Sequence, residues 1–204
     1  MQPITLYGHH AGPNPKKVAM VLEELNLPYE IKLLEFPKMK QPAYEKVNPN
    51  GRVPAIQDPN TGLTLWESGA IIEYLVERYD EKREISFQPG SASGQGPYFG
   101  QAVWFKIHHR EKIQSAVDRY VNEIRRVSGV LDGVLQGHEY LVDNRYSFAD
   151  LAFVPWFGII PWVAVDDVDM EKDFPNVHAW LERMKARPAV KKVLDAKSEV
   201  PKKL

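Results

Sequence analysis

Apolar positions along the first 80 residues follow two alternating periods. Ile4-Thr5-Leu6-Tyr7 reads as a short strand, closed by the turn-rich run from Gly8 to Pro13. Beyond Pro15, residues Val18, Val21, Leu22 and Leu25 recur at three- and four-residue spacing, which predicts a helix ending at Asn26-Leu27-Pro28. Tyr29 to Leu33 reads as a second strand and Pro42 to Val47 as a short helix. Val53 to Asp58 is read as a third strand, with a proline tolerated among its first residues or on an edge. Asn60-Thr61-Gly62 turns the chain into a returning strand, Leu63 to Trp66. Ser68 then opens a helix with apolar positions Ile71, Ile72, Leu75 and Val76. Parallel strands need crossover helices, whereas the last two strands pair as a hairpin. The order β-α-β-α-β-β-α therefore predicts a small mixed sheet with helices on its faces.

The pattern changes near residue 84. Phe87 to Pro97 is rich in Ser, Gly and Pro and reads as a linker, after which strand signals cease. Tyr98 to Leu135 is predicted as a long helical stretch, split near His108-His109-Arg110. Leu151 to Trp162 reads as an apolar helix, and Val177 to Ala186 and Ala189 to Ala196 as two short helices separated by Arg187-Pro188. The expected organisation is an α/β domain over residues 1–82, a linker over 83–97 and an all-helical domain over 98–204.

Composition narrows the possible functions. With 44% hydrophobic and 26% charged residues in 204, the chain is expected to fold around a buried core. Its formal net charge is -1, and Lys and Arg cluster only at Lys202-Lys203, so no nucleic-acid partner is expected. There is no cysteine, which excludes disulfides and thiolate metal sites and is compatible with a cytoplasmic location. The N-terminus does not read as a secretory signal, and no apolar run reaches the length of a membrane span. The pair His108-His109 suggests a metal, but adjacent helical residues do not share a face, so no metal is expected.

Three junctions carry candidate chemistry, each with a plainer structural reading beside it. In Gly12-Pro13-Asn14-Pro15, Asn14 reads either as an N-cap before Pro15 or as an amide donor to an anion at a helix start. Val53-Pro54 reads either as an ordinary trans bond or as a cis bond that turns the Val53 backbone outward, where an extended peptide can pair with it. In Trp66-Glu67-Ser68-Gly69, Ser68 reads either as an N-cap or as a carboxylate ligand, with Glu67 beside it for an ammonium group. All three at corresponding ends of one β-α-β-α-β-β-α unit form a stronger signal than any alone. Ser147-Phe148-Ala149-Asp150 is a capping-box pattern and is read as structural, with Ser147 and Asp150 opening the apolar helix. Tyr98 and Trp104 read either as core or as walls of an apolar pocket for a second substrate.

These residues resemble the glutathione transferases over essentially the whole chain. The match includes Gly12-Pro13-Asn14-Pro15, Leu22-Glu23-Glu24-Leu25, Asn48 to Ile56 and Glu67-Ser68-Gly69-Ala70-Ile71. In the second half it includes Gly100-Gln101-Ala102-Val103-Trp104-Phe105 and Tyr146 to Ala152. The asparagine-containing run and the Gln-Ala-Val-Trp-Phe run are similar to a fungal branch related to the nitrogen-regulatory prion protein.

The resemblance implies a thioredoxin-like α/β N-terminal domain plus an all-α C-terminal domain, and usually a two-fold homodimer. It implies glutathione as co-substrate and an electrophile, disulfide or peroxide as second substrate, a detoxification chemistry; the alternative is a non-catalytic glutathione-binding protein. It places Glu67 and Ser68 on the γ-glutamyl group, the Val53 backbone on the cysteinyl unit, Pro54 as the cis-proline and Arg52 near the glycyl carboxylate. Asn14 matches the thiol-facing, catalytic residue; Gly12 stands where a hydroxyl residue often sits, and Tyr7 is the other side chain considered for the thiol or the pocket beside it.

Overall fold

The structure, a computed structural model, describes residues 1–86, 96–164 and 167–196, with the side chains of 96–98 excepted. Most of the expected linker and the Tyr98 side chain thus lie outside the described residues. The described residues form two compact units: 1–86 together with 187–196, and 96–164 together with 167–186.

In the first unit β1 (Ile4–Gly8) is followed by α1 (Pro13–Glu24), β2 (Tyr29–Leu33), a 3-10 turn (Phe36–Lys40) and α2 (Pro42–Glu45). Then come β3 (Ala55–Asp58), β4 (Leu63–Trp66) and α3 (Ser68–Tyr79). The sheet order is β2-β1-β3-β4, with β1 parallel to β2 and both other pairs antiparallel, the mixed sheet that the pattern predicts. Along β1 the side chains alternate. Ile4 and Leu6 are buried on one face, while Tyr7 on the other packs against a small core of Met39, Tyr44 and Ala55. The third strand starts at Ala55, two residues later than expected, since Pro54 has no N–H to give the ladder.

The last helix joins this unit rather than standing with the helical region that precedes it in sequence. After α4–α9, described below, α10 (Pro188–Asp195) packs on α1 with Val190 and Val193 buried. Arg187 makes a bidentate pair with Glu24, at 3.0 and 2.9 Å, and Lys192 reaches Glu23 at 2.8 Å. The Lys192 pair is largely solvated and contributes little on its own, whereas the part-buried, bidentate Arg187–Glu24 pair fixes the helix's position beside the adhesion of the buried valines.

Asp58, at the end of β3, anchors the β3–β4 hairpin to α3. Its carboxylate accepts hydrogen bonds from the Tyr74 and Tyr79 hydroxyls at 2.7 and 2.6 Å, and from the Asn60 backbone and side chain, both at 2.9 Å. Burial alone raises an acid's pKa, but the bonds from Tyr79, Tyr74 and Asn60 outweigh it and hold Asp58 below its ordinary value.

The second unit is helical. It comprises α4 (Gly96–Val103), α5 (Gln114–Val134), α6 (Phe148–Phe157), α7 (Ile160–Val163), α8 (Met170–Asp173) and α9 (Pro175–Lys185). The expected long helix is split, first by a single π turn at Trp104–His108 and then by the break before Gln114. The apolar run that reads as one helix to Trp162 divides at Gly158 into α6 and α7. Phe157 meets Phe99 and Trp180 edge-on, with centroids 5.8 and 5.9 Å apart, at the centre of the core.

The capping box forms as the sequence predicts. Ser147 Oγ accepts from Ala149 N, and Asp150 accepts from Ser147 N at 3.0 Å. Asp150 is fully buried and also takes the Trp180 indole N–H at 2.9 Å and Leu141 N at 3.1 Å. One carboxylate therefore ties a helix start, a loop and α9 together.

Two outcomes follow. Asp150→Ala strands the buried N–H donors of Ser147 and Trp180, at about 1–3 kcal/mol each, beside the half-buried one of Leu141, so chemical denaturation is expected to show a loss of at least about 2 kcal/mol; an unchanged midpoint contradicts this role. Asp58→Asn is expected to cost about 1–3 kcal/mol at pH 7. The folded pKa of Asp58 lies below its unfolded value, so its contribution is complete above 3.8 and is lost as pH falls through the folded value. Denaturation curves of wild type and Asp58→Asn therefore converge at low pH, and curves that stay parallel contradict the assignment.

Candidate functional site

The strand register brings the three junctions to one edge of the sheet. Tyr7 pairs with Ala55, and Ala55 pairs with Trp66. The end of β1, the start of β3 and the end of β4 are therefore neighbours. The loop into α1, the Val53-Pro54 approach to β3 and the Glu67-Ser68 step into α3 all emerge there.

At the first junction the helix begins two residues earlier than the capping reading expects. Gly12 is the N-cap, Pro13 occupies the first helical position, and no side chain caps the helix. Asn14 is thus not an N-cap. Pro13 and Pro15 carry no backbone N–H, so among the first three helical residues only Asn14 offers one, with its side-chain amide beside it. The first turn holds no acid, and Lys16 and Lys17 follow directly, so the positive end of the helix is left uncompensated. Gly12 has no room for a side chain: a Cβ there lies 2.9 Å from Pro15 Cδ and 3.2 Å from the His9 carbonyl.

At the third junction the N-cap is Glu67, not Ser68, which takes the first helical position. Glu67 has φ 69° and ψ 112°, a region that non-glycine residues rarely occupy, at a cost of about 1–3 kcal/mol. The first bond into this helix runs from Ile71 N to Glu67 O at 2.9 Å, so the N–H groups of Ser68, Gly69 and Ala70 precede the helical ladder. Here too the first turn contains no acid and no side-chain cap. Glu67 is exposed, Ser68 is half-buried, and the negative charge of Glu67 acts on Lys17 of α1. Burial lowers the pKa of Lys17, and Glu67 partly restores it.

Between these helix starts lies the Asn48–Pro54 loop. The Val53–Pro54 bond is cis, the geometry the resemblance implies. The Arg52 carbonyl just before it is held twice, by the Tyr44 hydroxyl at 2.7 Å and by Asn48 Nδ2 at 2.6 Å. Buried Asn48 also accepts from Asn50 N at 3.0 Å. Gly51 has φ 56°, and a Cβ on it lies 2.6 Å from the Met39 carbonyl, so only glycine fits. With the backbone fixed in this way, Arg52 is exposed, Val53 half-buried and Pro54 buried. Burial raises the Tyr44 pKa to about 12. Sequence reading missed Tyr44 and Asn48 as the supports of this loop; Asn48 stood inside a matched run, but Tyr44 gave no local signal.

Other expected site residues stand apart. Tyr7 donates its hydroxyl to Gln57 Oε1 at 2.7 Å and packs on Tyr44 with centroids 5.5 Å apart. It lies on the sheet face opposite buried Leu6, so its side chain is already committed within the first unit. Trp104 is half exposed on the π turn of the second unit, 6.0 Å from the His108 ring. Ser147 and Asp150 belong to the capping box. Among the described residues no group of three His, Cys, Asp or Glu is placed to hold a metal ion. None of the described helices is long and apolar enough to cross a membrane.

Comparison with known proteins gives this geometry its family. Residues 6–83 match the model of the glutathione S-transferase N-terminal domain, and residues 97–188 that of the C-terminal domain. The chain is 50% identical to the glutathione S-transferase-like protein tpcF of Aspergillus fumigatus, over 94% of this chain and 95% of that one. It is similar to the structure of the glutathione transferase URE2P6 of Phanerochaete chrysosporium in complex with oxidized glutathione. That match has a TM-score of 0.89 and 46% identity, covering 95% of each chain. The structure of Ure2p in complex with glutathione superposes with a TM-score of 0.85 at 35% identity, over 95% of this chain and 93% of that one. The chain therefore belongs to the glutathione S-transferase family, among the Ure2p-like fungal members.

Proposed function

We propose that the chain is a glutathione transferase that binds glutathione along the sheet edge and stabilises its thiolate for attack on an electrophile, a disulfide or a peroxide. The observation that carries this reading is the convergence, on either side of the Asn48–Pro54 loop, of two helix starts with no side-chain cap and no acid in the first turn. Glutathione offers a matching charge pattern, with carboxylates at both ends, an ammonium group at one end and a thiol between them.

In this reading Ser68 and the N–H groups at the start of α3 bind the γ-glutamyl carboxylate, and Glu67 binds the neighbouring ammonium. The Val53 backbone pairs with the cysteinyl unit, presented by the cis bond to Pro54. Exposed Arg52 provides a cation for the glycyl carboxylate. The thiol then faces Asn14. Relatives support the ligand, since URE2P6 and Ure2p have been crystallised with forms of glutathione.

The magnitudes suffice without a general base. A free thiol has a pKa near 8.5, and lowering it by about two units takes about 2.7 kcal/mol. A hydrogen bond to a charged group supplies about 1.5–3 kcal/mol, and a helix N-terminus about 0.3–1 more. Asn14 offers an amide donor, its own backbone N–H and a helix end at one place. With no cysteine in the chain, no mixed disulfide between protein and glutathione forms, so disulfide reduction runs through bound glutathione itself.

Glu67→Ala is expected to weaken glutathione binding by roughly 10- to 150-fold, the loss of one charge-assisted hydrogen bond, in a calorimetric titration. Undiminished affinity refutes the γ-glutamyl assignment. Asn14→Ala is expected to leave binding nearly unchanged, raise the apparent pKa in a pH-rate profile and slow turnover by roughly 10- to 150-fold. A variant with the wild-type pKa and rate would sink the role of Asn14. The absence of a side chain at residue 12 and of any cysteine favours one alternative, a protein that binds glutathione without turnover. Tight binding by a wild type inert toward an electrophile panel identifies that case.

A further inference from the structure

The sheet ends at β2, and among the described residues no strand pairs with its outer edge. Glu30 to Leu33 are all exposed, with Ile31 at 48% and Leu33 at 56%. An open edge of this kind templates pairing with another strand, and folded proteins commonly guard such edges with charge, lysine above all. Lys32 stands in that place. What it guards against depends on the residue that an incoming strand sets opposite it.

The ladder to β1 fixes which groups face outward. Ile4 N donates to Pro28 O and Leu34 N donates to Gly8 O, on either side of the parallel register Ile4↔Tyr29 to Gly8↔Leu33. Alternation along a parallel pair then commits the N–H and C=O groups of Glu30 and Lys32 to β1 and leaves those of Tyr29, Ile31 and Leu33 on the open edge. Side chains alternate as well, so Tyr29, Ile31 and Leu33 share one face of the sheet and Glu30 and Lys32 the other. There Glu30 accepts from Thr5 Oγ1 at 3.0 Å, and Lys32 Nζ lies 3.4 Å from Glu30 and 5.6 Å from the Tyr7 ring centroid. Both members of this ion pair are more than half exposed, so the pair contributes little and exchanges partners at small cost.

The run Tyr29-Glu30-Ile31-Lys32-Leu33 is complementary to its own antiparallel copy. With a two-fold axis at Ile31, that residue faces itself and exchanges both outward bonds with its copy. Tyr29 of each copy faces Leu33 of the other in the same way. Glu30 of each copy then faces Lys32 of the other in the closer, non-hydrogen-bonded pairs, with Cα atoms about 4.5 Å apart. Opposite charges so placed contribute about 0.2–1 kcal/mol per pair. A slip of two residues sets Glu30 against Glu30 or Lys32 against Lys32, so the charges select one register while the apolar residues line up on the other face.

We propose that β2 is a self-association edge, on which a second copy of this chain pairs antiparallel across a two-fold axis through Ile31 and joins the two four-stranded sheets into one. The strip is five residues long, small beside the about 1,200–2,000 Å² of a standard interface, so the association is weak and grows with concentration. It goes beyond the glutathione reading and does not rest on it.

The lack of cysteine in the chain supplies the first test. Residues that face each other in a hydrogen-bonded antiparallel pair have Cα atoms about 5.5 Å apart, inside the disulfide range of about 4.4–6.8 Å. Ile31→Cys is therefore expected to oxidise to a covalent dimer on non-reducing electrophoresis. Leu33→Cys, about 13 Å from its own copy along the strand, is expected to stay uncrosslinked under the same treatment. The second test is sedimentation equilibrium from about 5 to about 200 µM, read as the rise in mass over that range, to which a tighter dimer through another face does not contribute. The wild type is expected to show the rise. Glu30→Lys and Lys32→Glu each set like charges opposite one another and are expected to abolish it, and an equimolar mixture of the two variants is expected to restore it. A flat wild-type mass, no cross-link at residue 31, equal cross-linking at 31 and 33, single variants that associate as the wild type does, or a mixture that behaves as its components do each overturns the proposal.

Discussion

The antiparallel register across β1, β3 and β4 is the constraint on which the site depends. Because Tyr7, Ala55 and Trp66 lie side by side, loops far apart in sequence leave the sheet at one edge. A slip of one residue between β3 and either neighbour would turn every side chain on it to the other face. It would also separate the Val53-Pro54 step from the helix starts. Asp58 opposes such a slip at the far end of β3, where its carboxylate holds the hairpin turn and two tyrosines of α3. The buried acid that steadies the hairpin is thus a remote support of the site.

Each half of the molecule uses one buried carboxylate in the same manner. Asp58 gathers donors from a turn and a helix, and Asp150 gathers them from a helix start, a loop and an indole. The helix starts at the site do the opposite. They carry no side-chain cap and no acid within the first turn, which leaves polar backbone groups for a ligand to satisfy. Capping is therefore spent where the fold needs rigidity and withheld where the chain meets its substrate.

What could be read from the sequence depended on range. The Ser147–Asp150 box was legible because all its partners lie within four residues, and the β-α-β-α-β-β-α order because each element shows its own period. The cap readings of Asn14 and Ser68, one of two open at each residue, fail for a local reason. Pro13 is itself suited to the first helical position and moves the cap to Gly12, while the positive φ of Glu67 brings the start of α3 forward to Ser68. Tyr44 was illegible as a support of Arg52, since its hydroxyl meets a carbonyl eight residues away only when the loop is closed. The attachment of α10 to α1 was hidden more deeply, in pairs that join residues 163 and 169 positions apart. Nothing in the periodicity of either helix announces the other.

The crowding at Gly12 sets a rule for how this site can change. A hydroxyl or thiol introduced there meets the ring of Pro15, so the two positions are not independent. Serine or cysteine at residue 12 first requires Pro15 to yield, with the His9 carbonyl still 3.2 Å from the new Cβ, and replacing Pro15 restores a backbone N–H to the third residue of α1. The intermediate sequence has lost its proline before gaining a new nucleophile-facing group. An asparagine-based site of this kind is thus separated from hydroxyl- or thiol-based ones by a coupled double substitution rather than a single step, and a serine or cysteine scan at residue 12 in the present background explores a closed route.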